Sequence, residues 1–357
     1  MARNLPAGQI GSGLFLLLNE IEKPQQWEST MSASVSRRDF LVATVAAGAT
    51  AGSLDSALDS AASAQDKPMP EQLSIIDTHQ HLWDLKKFKL PWHKSDDTKP
   101  LQRSFVMADY LEATKGLNIV KTVYMEVDVE VEEQLAEAAY VTDLCQKKDN
   151  PMRAAVVSGR PGTSGFDSYV RRLVDNKFIK GIRQVLHGDS TPAGYCLQPK
   201  FVESIQLLGE LDKSFDLCVR AGEVVDAVKL VNQCPKTRFV LDHCGNMSVT
   251  STDGVLRTKW QQGMKELAQK SNVVCKVSGI VVTANPDWKP EDLAPNINFT
   301  LDTFGEDRVM FAGDWPVCTL RATFAQWLNA LKMIVKDRPV AFQRKLLHDN
   351  AANFYGI

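Results

Sequence analysis

From residue 73 onward, the chain alternates short apolar runs with longer segments of helical periodicity, and it does so eight times. The apolar runs are rich in Val and Ile and nearly continuous, so both faces of each predicted strand are expected to be buried. Strands that alternate with helices pair in parallel through right-handed crossovers. Eight such units in the 285 residues from 73 to 357 fit a closed barrel better than an open doubly wound sheet. We therefore predict an α/β fold, a single (β/α)8 TIM-like barrel.

The boundaries of the predicted elements follow from the hydrophobic periodicity. The predicted strands are 73–78, 119–127, 153–158, 179–185, 215–220, 238–241, 273–277 and 309–312. The predicted helices are 107–115, 132–147, 165–176, 200–212, 224–232, 253–269, 290–304 and 320–335, with a closing helix over 341–354. The longest segment without periodicity, 84–105, follows the first strand, and we expect it to cover the mouth of the barrel.

The first 64 residues differ in composition from the rest and are expected to be a targeting segment. Arg37 and Arg38 precede a short, weakly apolar stretch, and Ala62-Ser63-Ala64 follows as a small-x-small cleavage site. This order resembles a Tat export signal. We therefore expect residues 1–30 to be a mis-annotated extension with translation starting at Met31, residues 31–64 to be the signal, and residues 65–357 to be the exported barrel, periplasmic or extracytoplasmic.

Composition excludes several classes of function. The formal net charge is −2 and the sequence pI is about 6.3, so the chain has no electrostatic footprint for nucleic acid. No run of 18 apolar residues is present, which predicts no membrane-spanning helix. The seven cysteines include no CxxC pair, and we interpret them mainly as buried free thiols, with one disulfide left open. The expected partner is a small-molecule substrate; the oligomeric state stays open.

Polar residues collect where the predicted strands end. Four of the six histidines lie at or just beyond such an end, and acidic and basic residues accompany them. The residues concerned are His79, His81, Glu126, Arg183, His187, Arg220, His243, Lys276, Ser278 and Asp314. In a barrel these ends converge on one face, which is where barrel active sites lie. His79 and His81 are two residues apart, so in a strand both imidazoles point toward the same side. The pattern therefore predicts an active site at this face.

Five motifs in order resemble the amidohydrolase-2 branch of the amidohydrolase superfamily, with the strongest likeness to lactonases such as fuconolactonase and pyrone-dicarboxylate lactonase. They are Ile75-Ile76-Asp77 followed by His79-Gln80-His81-Leu82-Trp83, Lys180-Gly181-Ile182-Arg183, Leu241-Asp242-His243-Cys244-Gly245, Lys276-Val277-Ser278-Gly279 and Phe311-Ala312-Gly313-Asp314-Trp315-Pro316. The resemblance extends over residues 73–357. It implies a hydrolase that opens a lactone of a sugar acid or a related small carboxylic acid.

The resemblance also implies roles for individual residues. Asp314 would deprotonate the attacking water and return the proton to the leaving alkoxide. His79, His81 and His243 would surround the carbonyl and the water. The residues expected to bind the substrate are Arg183, His187, Glu126, Arg220, Trp83 and Trp315, the two tryptophans as walls of the pocket. Glu126 could instead bind a water or pair with a strand-1 histidine.

Two variants of the chemistry stay open, hydrolysis without a metal and hydrolysis with one divalent metal, most simply zinc. His79, His81 and Asp314 would suffice as ligands of one open-site zinc. A binuclear centre is disfavoured, because Arg220 and not His stands near the end of strand 5, and Gly181-Ile182-Arg183 stands on strand 4 in place of the carboxylated-lysine type of bridge. Two other functions are alternatives: a zinc-dependent non-oxidative decarboxylase of an aromatic acid, and a carbohydrate-binding barrel without catalysis.

Overall fold

The computed structural model describes residues 73–93, 96–188 and 191–357. The predicted extension, export signal and cleavage site fall within residues 1–72 and so lie outside the described residues. Within the described part, no helix is long and apolar enough to cross a membrane. All seven cysteines are buried free thiols.

Eight parallel strands form one sheet in sequential order, which confirms the predicted (β/α)8 architecture. The strands are β1 (Ile75–Gln80), β2 (Ile119–Met125), β3 (Met152–Ser158), β4 (Ile179–Val185), β5 (Ser214–Cys218), β6 (Arg238–Leu241), β7 (Val273–Val277) and β8 (Val309–Phe311). The barrel closes between β8 and β1, where the Thr78 hydroxyl donates to the carbonyl of Phe311 and the His81 amide donates to that of Trp315. Residue for residue, β4, β6 and β7 coincide with the predicted strands, and the other strands differ by one or two residues at their ends.

Helices follow every strand and cover the outside of the barrel. They are α1 (Met107–Ala113), α2 (Gln134–Gln146), α3 (Phe166–Arg171), α4 (Pro199–Glu210), α5 (Val224–Gln233), α6 (Gly254–Ala268), α7 (Pro290–Phe304), α8 (Phe324–Val335), α9 (Val340–Arg344) and α10 (Asn350–Tyr355). The predicted eighth helix starts four residues too early, because Thr323 caps α8 with its hydroxyl on the Gln326 amide. The predicted closing helix is divided into α9 and α10 by a π-helical turn at Lys345–Asp349.

Apolar side chains form two clusters on the two faces of the strands. The larger cluster fills the space between the strands and the helices, while the smaller one lies inside the barrel. The inner cluster contains Ile76, Val123, Met125, Ala154, Val156, Val240 and Met310, closed by Ala351 and Tyr355 of α10. Because side chains alternate along a strand, the inward positions two residues further along place polar groups above this apolar layer, as with Val240 and Asp242. The apolar layer therefore lies directly beneath the polar site.

Close contact between β4 and β5 requires glycine at position 181. Gly181 pairs with Ser214, and a Cβ added to Gly181 would lie 2.8 Å from the Ser214 carbonyl oxygen, which cannot move without the strand. We expect Gly181→Ala to lower the free energy of unfolding by about 1–3 kcal/mol, measured by urea denaturation. Gly165→Ala is the control, because a Cβ there meets no atom within 4 Å and the backbone φ is −88°. Equal midpoints for the two variants would contradict the expectation.

Candidate active site

Residues of β1 and of the turn after β8 meet at the carboxyl-terminal end of the barrel. The Nε2 atoms of His79 and His81 lie 3.6 Å and 3.4 Å from Asp314 Oδ1. Asp314 has a left-handed backbone with φ of 54°, a conformation that Asp adopts more readily than most residues. Its position is supported by Asp77, whose buried carboxylate accepts hydrogen bonds from the Gly313 amide (2.7 Å) and the Tyr110 hydroxyl (2.9 Å). One carboxylate therefore faces both strand-1 imidazoles, as the sequence predicted.

The contacts of His79 define its tautomer. Its Nε2 lies 3.1 Å from Arg183 Nη1, and a guanidinium can only donate, so Nε2 is the acceptor. The proton is therefore on Nδ1, which lies 3.5 Å from Asp242 Oδ1. Burial, despite the opposing effect of Asp242, holds the pKa of His79 well below its usual range. His79 is thus a neutral imidazole whose ring is oriented by a cation on one side and a carboxylate on the other.

The contacts of His81 leave a lone pair facing Asp314. Its Nδ1 lies 3.0 Å from the carbonyl oxygens of both Met125 and Glu126, and carbonyls only accept, so Nδ1 carries the proton. In the neutral ring, Nε2 is then an acceptor that points at Asp314 Oδ1. Two acceptors at 3.4 Å are favourable only if a proton or a cation lies between them. His81 Nε2 and Asp314 Oδ1 are therefore placed to share a proton or a cation.

His243 packs against His79 at the same end of the barrel. Its ring centroid lies 4.6 Å from that of His79, and its Nδ1 lies 2.9 Å from the Ser278 hydroxyl. Gly279 allows this approach, because its φ is +68° and a Cβ there would lie 2.5 Å from the His243 ring. Burial lowers the pKa of His243, so this imidazole is also neutral at pH 7.

Arg183 ties the strand ends together from inside the barrel. Its Nε donates to Glu126 Oε1 (2.7 Å), Nη2 donates to the Glu126 carbonyl (3.0 Å), and Nη1 contacts Asp242 Oδ2 (3.3 Å) and His79. These contacts use four of the five guanidinium N–H groups. Burial disfavours the charge on Arg183, but Glu126 and Asp242 raise its pKa above the usual value. Arg183 is chiefly a clamp, and at most one N–H is left for a substrate.

Lys276 is a second buried cation, and it lies next to Asp242. Lys276 Nζ is 2.6 Å from Asp216 Oδ2 and 3.3 Å from Asp242 Oδ1, and all three side chains are fully buried. Burial opposes the ionisation of Asp242, but Lys276 and His79 together hold its pKa well below the usual range. Asp242 therefore links the two cations to His79, since it contacts Lys276, Arg183 and the imidazole at once.

A cavity of about 580 Å³ opens above these groups. Seven residues predicted for the site line it, namely His81, Trp83, Glu126, Arg183, His187, His243 and Asp314. Burial lowers the pKa of His187 to about 4, so its ring is neutral at pH 7. Glu126 is already engaged, because Arg183, the Ser158 hydroxyl and the Asp128 amide all donate to its carboxylate. The partner of Glu126 is thus Arg183, while His81 contacts only its backbone carbonyl.

Two residues predicted to bind substrate lie outside the cavity. Strand β5 ends at Cys218 and not at Arg220, so Cys218 is the β5 side chain that lines the cavity. Arg220 braces the loop after β4 by donating to the carbonyls of Gly188 and Thr191 and pairing with Glu223. Trp315 is buried behind the site, where its ring packs edge to face against Phe105 and Tyr110 with centroids 5.4 Å away.

Residues that the sequence analysis did not assign to the site are Asp242, Asp216 and Cys218. Asp242 precedes His243 in a quoted motif, and its inward position two residues after Val240 could have identified it. The long segment after β1 does reach the mouth of the barrel, as predicted, and it contributes Trp92 to the cavity wall.

The described residues include a possible metal site. His79, His243 and Asp314 each offer a ligand atom, and these atoms all lie within 4.8 Å of one another. This set has His243 where the sequence predicted His81, although His81 Nε2 also faces the same carboxylate oxygen. Two imidazole nitrogens and a carboxylate are a donor set that suits zinc.

Comparisons with known proteins identify the family. The amidohydrolase family Amidohydro_2 matches residues 76–357. The chain is 29% identical over 306 residues to the uncharacterized protein y4mH of Sinorhizobium fredii, covering 80% of this chain and 99% of that protein. It is 25% identical over 289 residues to L-fucono-1,5-lactonase of Burkholderia multivorans, covering 78% of this chain and 94% of that protein.

A solved structure shares the fold. An amidohydrolase from Burkholderia multivorans with bound zinc superimposes with a TM-score of 0.69 at 23% identity, covering 80% of this chain and 99% of that one. The polar cluster lies at the end of the barrel where the active sites of (β/α)8 barrel enzymes are found. The chain therefore belongs to the amidohydrolase family and is a hydrolase built on a (β/α)8 barrel.

Proposed function

We propose that the enzyme hydrolyses a lactone to the corresponding hydroxy acid. The observation that carries this proposal is the Asp314 carboxylate, which faces two imidazoles at the floor of a cavity large enough for a small molecule. Relatives that are named as lactonases, at 25% and 21% identity, support the same reaction.

In the proposed mechanism, Asp314 holds the proton that moves. Its carboxylate accepts a proton from the attacking water as the water oxygen bonds to the lactone carbonyl carbon. The bond between that carbon and the ring oxygen then breaks, and Asp314 returns the proton to the leaving alkoxide. The products are a carboxylic acid and a hydroxyl on one molecule, so no co-reactant besides water is consumed.

The surrounding groups orient the reactants. His243 and His187 are neutral, so each can donate or accept a hydrogen bond toward the lactone without adding charge. His79 is held by Arg183 and Asp242, which keeps its ring beside Asp314 through the reaction. The remaining N–H of Arg183 is the group that could bind a substrate carboxylate or hydroxyl.

The donor set fits one divalent cation. His81 and Asp314 face each other as two acceptors, and His79 and His243 lie close to the same carboxylate. To ligate the cation, His79 Nε2 would give up the hydrogen bond that it accepts from Arg183 Nη1. When bound there, such a cation supplies Lewis-acid polarisation of the lactone carbonyl. Zinc is the cation that this mixture of nitrogen and oxygen donors favours.

Removing the metal tests this part of the proposal. We expect the purified full-length protein to contain about one zinc per chain by elemental analysis, because three or four protein ligands hold one open-site zinc. Dialysis against a chelator should abolish acid release, and added zinc should restore both the rate and the metal content. Full activity in protein whose metal content has fallen below a tenth per chain would establish hydrolysis without a metal.

A panel of lactones tests the reaction class. We expect acid release from at least one six-membered lactone in a pH-indicator assay with the full-length protein. The same protein is offered aromatic acids and assayed for carbon dioxide, which is the product of the alternative decarboxylase. Carbon dioxide without acid release would replace the proposal with decarboxylation, and binding without either product would replace it with a carbohydrate-binding barrel.

A further inference from the structure

The cavity above Asp314 is larger and less polar than a bare sugar-acid lactone requires. Its volume of about 580 Å³ lies within the range of pockets that enclose drug-sized ligands, roughly 300–1,000 Å³. The polar catalytic groups are confined to the floor, where the ends of the strands meet. The walls therefore decide what else of the substrate can be accommodated.

One wall consists of two indole rings that present only carbon to the cavity. The Trp92 N–H donates to the Val127 carbonyl (2.8 Å), and the Trp83 N–H donates to the Arg103 carbonyl. The two rings pack edge to face with centroids 5.6 Å apart, which fixes the surface they offer. Neither indole has a donor left for a substrate hydroxyl.

The other walls are aliphatic. Ile280 and Val282 come from the turn after β7, and Val317 comes from the turn after β8. Val127 follows β2, and Val185 is the last residue of β4. None of these side chains can form a hydrogen bond. A substrate hydroxyl placed against them would lose its bonds to water without replacement, whereas an apolar group would gain from burial.

Apart from His187, the polar side chains on the walls each have a partner within the protein. Asp128 Oδ1 pairs with Arg160 Nη2, Asn246 Nδ2 donates to the Val219 carbonyl (2.8 Å), and Thr283 Oγ1 donates to the Ile280 carbonyl (2.7 Å). Above the floor, the described walls thus offer few free partners for a ring that carries several hydroxyls.

We propose that the substrate is a lactone carrying an apolar substituent, an aryl or alkyl group, which packs against Trp92 and Val282 while the lactone carbonyl lies over Asp314. This inference rests on the proposed lactonase function. It narrows the substrate class from polyhydroxylated sugar-acid lactones to lactones that combine a polar reacting end with an apolar body.

Three six-membered lactones test the inference in the full-length enzyme: L-fucono-1,5-lactone, δ-decalactone and 3,4-dihydrocoumarin. We expect kcat/KM for the two apolar lactones to exceed that for the sugar lactone at least tenfold. Trp92→Ala should lower kcat/KM for the apolar lactones tenfold or more, and should reduce the preference. Trp288→Ala is the matched control, because Trp288 is also half-buried, donates its N–H to a backbone carbonyl (Arg321, 3.2 Å) and does not line the cavity.

Val282→Thr serves as a second variant that preserves shape. It adds a hydroxyl to the wall, and we expect it to shift the preference at least threefold toward the sugar lactone. A preference of the wild-type enzyme for the sugar lactone, or an unchanged preference in both cavity variants, would overturn the inference and leave lactone hydrolysis intact.

A binding measurement separates failure of the inference from failure of the proposed function. If no lactone is hydrolysed, the lactonase proposal fails, and quenching of tryptophan fluorescence then reports on the cavity itself. Binding of δ-decalactone at least tenfold tighter than that of L-fucono-1,5-lactone, and lost in Trp92→Ala, would support an apolar ligand. Equal or weaker binding would overturn it.

Discussion

Asp314→Asn is expected to lower kcat/KM for lactone hydrolysis by about a hundredfold to ten-thousandfold, the range over which a positioned general base contributes. The amide has the shape of the carboxylate but cannot accept the proton of the attacking water. Asn also tolerates the left-handed backbone at this position, where φ is 54°, so the fold should survive. Initial rates of acid release measure the effect, and thermal melting checks the fold.

Asp128→Asn is the matched control for this substitution. Asp128 also lines the cavity, but its carboxylate pairs with Arg160 and lies in no contact with His79 or His81 among the described hydrogen bonds and ion pairs. We expect its effect on kcat/KM to be far smaller than that of Asp314→Asn. Losses within tenfold of each other would show that Asp314 is not the base.

The largest expected effect on stability comes from Lys276→Met. Methionine matches the length of the lysine stem but leaves Asp216 without its cation and deprives Asp242 of one of its two. Removing one partner from a buried ion pair costs about 3–5 kcal/mol, because the remaining charge is neither hydrated nor paired. The free energy of unfolding, measured by urea denaturation, should fall by this amount.

Lys229→Met makes the same substitution at an exposed ion pair. Lys229 Nζ lies 2.8 Å from Asp226 Oδ1, but the lysine side chain is 61% exposed, so water replaces the lost partner. We expect no measurable change in the unfolding midpoint. Similar midpoints for Lys229→Met and Lys276→Met would mean that the buried cation contributes little to stability.

Local patterns predicted the elements that alternate most regularly. Strands β4, β6 and β7 and helix α7 begin and end where the apolar runs and the helical periodicity place them. Boundaries shifted where a capping contact, which the hydrophobic periodicity does not show, decides the end. The Thr323 cap, for example, starts α8 at Phe324, and Leu320, where the helix was predicted to begin, belongs to the separate turn Val317–Leu320.

The sequence identified some of the residues that meet at the site and misplaced two others. His79, His81, His243 and Asp314 belong to strand ends, and the closure of a parallel barrel brings all strand ends to one face. Arg220 and Trp315 also lie near strand ends, but a shift of two residues at the end of β5 and the return of the segment through Phe105 direct them elsewhere. A position near a strand end therefore predicts which end of the barrel a residue occupies, but not whether its side chain lines the cavity.

The alternation of apolar runs and helical segments specifies the barrel, since burial of both strand faces and the right-handed crossover leave few other topologies. The order of residue types likewise identifies the face that holds the site. Pairing among the buried charges depended on the tertiary structure. Arg183 meets Glu126, Asp242 and His79 across three other strands, and Lys276 meets Asp216 across β6. Hydrogen bonds require distances near 3 Å and defined directions, and these arise only when the barrel closes and its register is set.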